Sequence, residues 1–223
     1  MSEWWTYQLS DFLLFSPRVY WRMFELLNEA LWPMQAATLA IGLAAMLLAI
    51  LRPRRHERII AILLAILWAF VGICFFWQRY ATINWAAVYV APVFALEALL
   101  FLILGGMNRL PFDQRGLPRI AGLALIAFAL AAYPLLAPLS GRPWAEAEIF
   151  GIAPDPTAIG TLGFLLLARS RAPLVLLPIP VLWCLASGGT LRAMDEVQAW
   201  VPLALALSAV VVRVWFAAVD EAD

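Results

Sequence analysis

The residues best placed to do chemistry in this chain are a few polar groups set in long apolar sequence. Asp155 and Thr157 lie in "FGIAPDPTAIGTLGFLLLARSR", residues 150–171, where two prolines introduce a short apolar run. Glu97 lies within "VFALEALLFLIL" and Arg213 within "LSAVVVRVWFAAV". Arg79 and Asn84 lie in "FFWQRYATINWAA", between Trp77 and Trp85. Ionisable side chains deep in membrane segments are rare, usually face the protein interior, and mark ion and solute pathways or proton relays. The chemistry expected of these six residues is therefore substrate binding. Catalysis finds little support: there is no His-x-x-x-His pair, no Ser–His arrangement and no carboxylate-rich helix, so the chain is not expected to be an enzyme. The lone His56 sits in the charged stretch "RPRRHER", and Cys74 and Cys184 sit in apolar runs. That set does not make a zinc site, and no metal or cofactor is expected. All fifteen basic residues are arginine, which excludes a Schiff-base lysine. The net charge of zero gives no argument for a nucleic-acid partner.

The elements that must position these groups are membrane helices. The chain is 65% hydrophobic and 13% charged, whereas soluble domains are about half apolar and about a quarter charged. A spanning helix needs roughly 20 mainly apolar residues. Runs at 34–51, 59–77, 85–106, 120–139, 157–168, 173–188 and 199–219 predict an all-α integral membrane protein with about seven transmembrane helices. Residues 34–223 form a single transmembrane domain in this reading. Residues 1–33 are separate in character: aromatics interleave with Arg18, Arg22, Glu25 and Glu29, while Val19, Met23, Leu26, Leu27 and Ala30 recur at helical spacing. This pattern predicts an amphipathic helix lying in the membrane interface; the alternative is a lid over the bundle. The opening "MSEWWTYQLSDF" lacks the basic region and cleavage site of a secretory signal, so the amino terminus is expected to be retained.

Arginine placement orients the helices. Alternate loops hold Arg52, Arg54, Arg55 and Arg58, then Arg109, Arg115 and Arg119, then Arg169 and Arg171; the intervening loops hold Arg79, Arg142 and Arg192. The arginine-rich set is expected on the cytoplasmic side, with the amino terminus outside and the acidic tail "DEAD" inside. Two segments also resemble each other. "TLAIGLAAMLLAILRPRR" from Thr38 and "TAIGTLGFLLLARSR" from Thr157 share a Thr, Ala-Ile-Gly, a leucine-rich run and nearby arginines. The runs around Trp68 and Trp183 match more weakly. Together they suggest a 3+1+3 parallel repeat, a plan used by some transporters, although apolar segments also resemble each other by composition alone.

Glu97 and Arg213 lie roughly 18 and 20 Å from the outer ends of their spans, so an ion pair is one reading. The other is that Arg213 reaches the cytoplasmic surface and Glu97 is protonated. Thr157 to Ala168 covers only roughly 18 Å of a core about 30 Å thick. This predicts a broken fifth helix entered through the prolines, with Asp155 or Thr157 capping its first turn; a continuous helix from about Ile149, bent at the prolines, is the alternative. The "QRYATIN" loop reads either as an interfacial turn or as an outer vestibule.

The stretches "SDFLLFSPRVYWRMFELLNEALWP", "WQRYATINWAA" and "FGIAPDPTAIGTLGFLLL" are similar to a family of uncharacterised bacterial multi-pass membrane proteins. The resemblance implies topology and a bacterial inner-membrane location, but no activity. Its members often carry Cys between the two prolines, where this chain has Asp155, which puts a thiol or soft-metal role in doubt here. The expected function is transport or permeation of a small solute near the broken helix. The alternative is a non-catalytic membrane subunit or scaffold that binds a partner complex or lipid. The partners implied are the lipid bilayer and a small solute, with a homo-oligomer or a partner membrane complex as further options.

Overall fold

The computed structural model describes residues 13–170 and 173–219, with side chains up to residue 216. Expectations that rest on residues 1–12, Arg171 and the tail 220–223 lie outside the described residues. The helices are α1 (Pro17–Leu31), α2 (Met34–Leu51), α3 (His56–Phe70), α4 (Ala87–Gly106), α5 (Gly116–Ala127), α6 (Pro154–Leu167), α7 (Pro178–Ala193) and α8 (Trp200–Val219). A π-helical stretch, Val71–Trp77, prolongs α3, and another, Phe128–Ala132, prolongs α5 towards Leu139. Six segments are long and apolar enough to cross a membrane: Met34–Leu51, His56–Thr82, Ala87–Gly106, Gly116–Leu139, Pro173–Ala193 and Val197–Phe216. They coincide with six of the seven expected runs. No β-strand occurs among the described residues.

The seventh run, α6, is the exception. Its 14 residues cover about 21 Å, and every one of them is buried. It packs against α5, α7 and α8 and is the centre of the bundle. Glycine permits that approach: a Cβ on Gly122 of α5 would stand 2.6 Å from the Gly163 carbonyl oxygen, and a Cβ on Gly163 would stand 2.6 Å from that of Gly122.

The helix begins at Pro154, three residues earlier than the apolar run predicts. The prolines are its first turn, not an irregular entry. The first four N–H groups of a helix have no intrahelical partner, so proline there sacrifices no hydrogen bond. The irregular part is 147–153, which is buried apart from the half-buried Ile149. Non-helical backbone at membrane depth is tolerated where protein covers it, and several of its backbone groups find partners within the protein. Ile152 N and Ala153 N donate to Ile149 O, Gly151 N donates to Thr157 Oγ1, and Asn28 Nδ2 donates to the Ala145 and Ala147 carbonyls. Gly151 has φ +79° and lies against Thr38 and Leu67, a conformation and a space that both favour glycine.

The two ends of the bundle differ. One carries the exposed rings of Trp32, Trp77, Trp85, Trp144 and Trp200, a belt of the kind that sits at headgroup level. The other carries the arginine-rich loops, where Arg52 donates to Gln114 O and Arg58 to Gly106 O, both at 3.2 Å. Helix α1 covers the tryptophan end. It buries Tyr20, Trp21, Met23, Phe24 and Leu27 against Tyr80, Phe75 and the 145–147 backbone. Val19 and Leu26, expected on the apolar face, are exposed, because the aromatic side chains at 20, 21 and 24 claim the inner face. Helix α1 is thus amphipathic, with its buried face against this end of the bundle. The two halves of the suggested repeat are also unlike in packing: 22% of the α2 span is buried, against all of α6.

Candidate functional site

Asp155 stands in the first turn of α6 with no exposed surface. Three donors converge on its carboxyl group. Trp183 Nε1 donates to Oδ1 at 2.7 Å. Ser187 Oγ and Tyr133 OH donate to Oδ2 at 2.6 and 2.9 Å. Trp183 and Ser187 are four residues apart on α7, so both face α6. Tyr133 is the first residue after the π-helical stretch of α5, where the altered helical repeat changes which side chain points inward. Indole N–H can only donate, so Oδ1 acts as an acceptor. No arginine pairs with Asp155 among the described residues. The site is thus a buried carboxyl group held by neutral donors.

A second buried acid adjoins it. Glu148 lies in the segment leading to α6 and is 3% exposed. Its Oε2 accepts from Gln198 Nε2 at 3.2 Å, and its Oε1 has no hydrogen-bond partner among the described residues. Burial first, and then the charge of Asp155, push the Glu148 carboxyl well above its ordinary range; Arg142 and the Gln198 hydrogen bond oppose the shift. From Glu148 a polar chain runs to the tryptophan end. Arg142 Nη2 donates to Gln198 Oε1 at 2.6 Å, the Arg142 guanidinium lies 3.4 Å from the centroid of the Trp21 ring, and Trp21 Nε1 donates to Glu196 Oε1 at 2.7 Å. Helix α1 therefore closes over the outer end of this chain.

The other expected site residues are placed as follows. Thr157 is fully buried; its hydroxyl donates to Ala153 O at 2.6 Å and accepts from Gly151 N. It fastens the buried loop and does not cap the first turn, and Asp155 makes no capping bond either. Arg79 lines a surface groove beside α1. Asn84 Oδ1 accepts from Ala86 N at 3.0 Å, which starts α4. Glu97 is fully buried on α4, and neither carboxyl oxygen has a hydrogen-bond partner among the described residues. Arg213 donates to the carbonyls of Ala168 at 2.7 Å and of Ser170, where α6 ends. Both carbonyls belong to the non-helical backbone just past the last residue of α6, Leu167. Of the two readings of Glu97 and Arg213, the direct ion pair is not seen among the described residues, since neither Glu97 oxygen has a hydrogen-bond partner there. Sequence reasoning missed Tyr133, Trp183, Ser187, Glu148, Gln198 and Arg142. The one available signal was the four-residue spacing of Trp183 and Ser187, two polar-tipped side chains on one face of an apolar helix.

No curated protein and no solved structure matches this chain. A family model described as a family of unknown function (DUF6064) matches residues 17–222, which takes in every helix described above. By that match, the protein belongs to the DUF6064 family, whose function is unknown.

Proposed function

We propose that the protein is a membrane transport or permeation protein, and that the species it moves, alone or coupled to a small solute, is the proton. The observation that carries this reading is the Asp155 carboxyl group, buried at the centre of an apolar bundle and held by three neutral donors. Two acids in electrostatic contact disfavour the doubly ionised state, so the ionisation of Glu148 is coupled to that of Asp155. Asp155 is closely packed with no exposed surface, which suits a proton better than a larger solute. The polar contacts of Gln198 and Arg142 mark the tryptophan end as the side nearer to Glu148. We further propose that this end faces outward and the arginine-rich end faces the cytoplasm, by the positive-inside rule, in a bacterial inner membrane. The reading contains no enzymatic step.

The test is proton flux into proteoliposomes under an imposed membrane potential, followed with an entrapped pH dye. The reading requires flux above that of protein-free liposomes. It requires that flux to fall at least tenfold in Asp155→Asn and in Glu148→Gln, with helicity and elution volume kept. Flux equal to the protein-free control, or unchanged in both variants, would sink it. The second reading, a non-catalytic subunit or scaffold, is favoured by the aromatic α1 lid and the exposed tryptophans of that end. Stoichiometric co-purification of a membrane partner, with no flux, would support that alternative.

A further inference from the structure

Between α1 and the turn that follows α3 lies a groove of about 530 Å³. Its polar lining includes Arg18, Arg22, Arg79, Glu25 and Glu146, and its apolar wall includes Val19, Leu26 and Ile83. Arg22 and Glu25 form an ion pair with each other. The side chains of Arg18 and Arg79 make no ion pair among the described residues. Three arginines face two carboxyl groups in this lining, so the groove keeps an excess of positive charge. Its depth is set by the residues around it. The 79–83 turn lies between Trp77 and Trp85, whose rings are exposed, and such tryptophans mark the headgroup level of a bilayer.

We propose that this groove binds the phosphodiester of an anionic phospholipid, with Arg18 and Arg79 on the phosphate and the Val19–Leu26–Ile83 wall against the glycerol and upper acyl chain. Guanidinium groups match phosphate oxygens with paired N–H donors. A wall that is apolar beside cations at headgroup depth fits a lipid and not a free anion. The groove is distinct from the Asp155 site, so the proposal stands or falls independently of proton flux.

The experiment is native mass spectrometry and thermal unfolding of the full chain in detergent, titrated with phosphatidylglycerol, phosphatidylcholine or soluble glycerol 3-phosphate. Phosphatidylglycerol should be retained and should raise the unfolding temperature, with phosphatidylcholine and glycerol 3-phosphate much weaker. Taking about 1 kcal/mol per basic residue near a lipid surface, Arg18→Gln/Arg79→Gln should bind phosphatidylglycerol about thirtyfold more weakly. Arg18→Lys/Arg79→Lys should recover much of the loss, which separates lost charge from lost folding. Equal binding of phosphatidylcholine, equal protection by glycerol 3-phosphate, or unchanged binding by the double Gln variant would overturn the proposal.

Discussion

Replacing Trp183 by Phe isolates one hydrogen bond to the buried acid. Oδ1 of Asp155 has Trp183 Nε1 as its donor, at 2.7 Å, while the other two donors serve Oδ2. Phe keeps an aromatic ring against Phe76 and Phe94, whose centroids lie 4.9 and 5.7 Å from that of Trp183. A hydrogen bond to a charged group contributes about 1.5–3 kcal/mol, and one between neutral groups about 0.5–1.5 kcal/mol. Asp155→Asn retains an oxygen for the indole and turns its amide towards the Tyr133 and Ser187 hydroxyls, which can rotate to accept. Trp183→Phe is therefore expected to cost about 1.5–3 kcal/mol in the parent and roughly half that in the Asp155→Asn background, a coupling of about 1 kcal/mol or more. Asp155→Leu strands all three donors and is expected to cost about 3–9 kcal/mol, from about 1–3 kcal/mol for each. The assay is reversible unfolding in mixed micelles at fixed composition, run as a double-mutant cycle. An equal cost of Trp183→Phe in both backgrounds would refute the premise of the larger figure, that Asp155 is ionised at the pH of the assay and accepts from these donors.

Five further outcomes are expected. Glu148 holds its proton to higher pH in the folded protein than its ordinary value of 4.5. The folded state then binds more protons than the unfolded chain above that value, so this group's contribution is full below pH 4.5 and is lost as pH rises towards the raised value; Glu148→Gln should flatten that part of the stability–pH curve. Glu97 has no hydrogen-bond partner to lose, so Glu97→Leu should leave stability unchanged or raise it by about 1–3 kcal/mol, and combination with Arg213→Gln should be additive in the same unfolding assay. Thr157→Val keeps the shape but strands the Gly151 N–H and should cost about 1–3 kcal/mol; Gly163→Ala, with 2.6 Å to the Gly122 carbonyl oxygen, should cost a similar amount through overpacking. Single cysteines placed in the 107–119 loop, in a background without Cys74 and Cys184, should resist an impermeant thiol reagent in intact cells, whereas cysteines at 140–146 should react; the reverse pattern would invert the orientation.

What the sequence determined by itself is what composition and periodicity carry. Long apolar runs can satisfy their backbone only as helices in a membrane, so the six spanning segments were legible within a few residues. The short run after Pro156 was legible as a helix too brief to span, and Asp155 as a charge in the wrong solvent. The tertiary structure alone decided which groups share a site. Tyr133, Trp183 and Ser187 are 22, 28 and 32 residues from Asp155, and nothing local to any of them encodes the meeting. A π-helical stretch turns Tyr133 inward, and a glycine contact lets α6 into the middle of the bundle. The Glu97–Arg213 pairing went the other way: similar depth along two helices made contact plausible, but depth says nothing about rotation around each helix or about nearer partners. Arg213 donates to the carbonyls of Ala168 and Ser170, just past the end of α6, a contact that the packing of α8 on α6 decides.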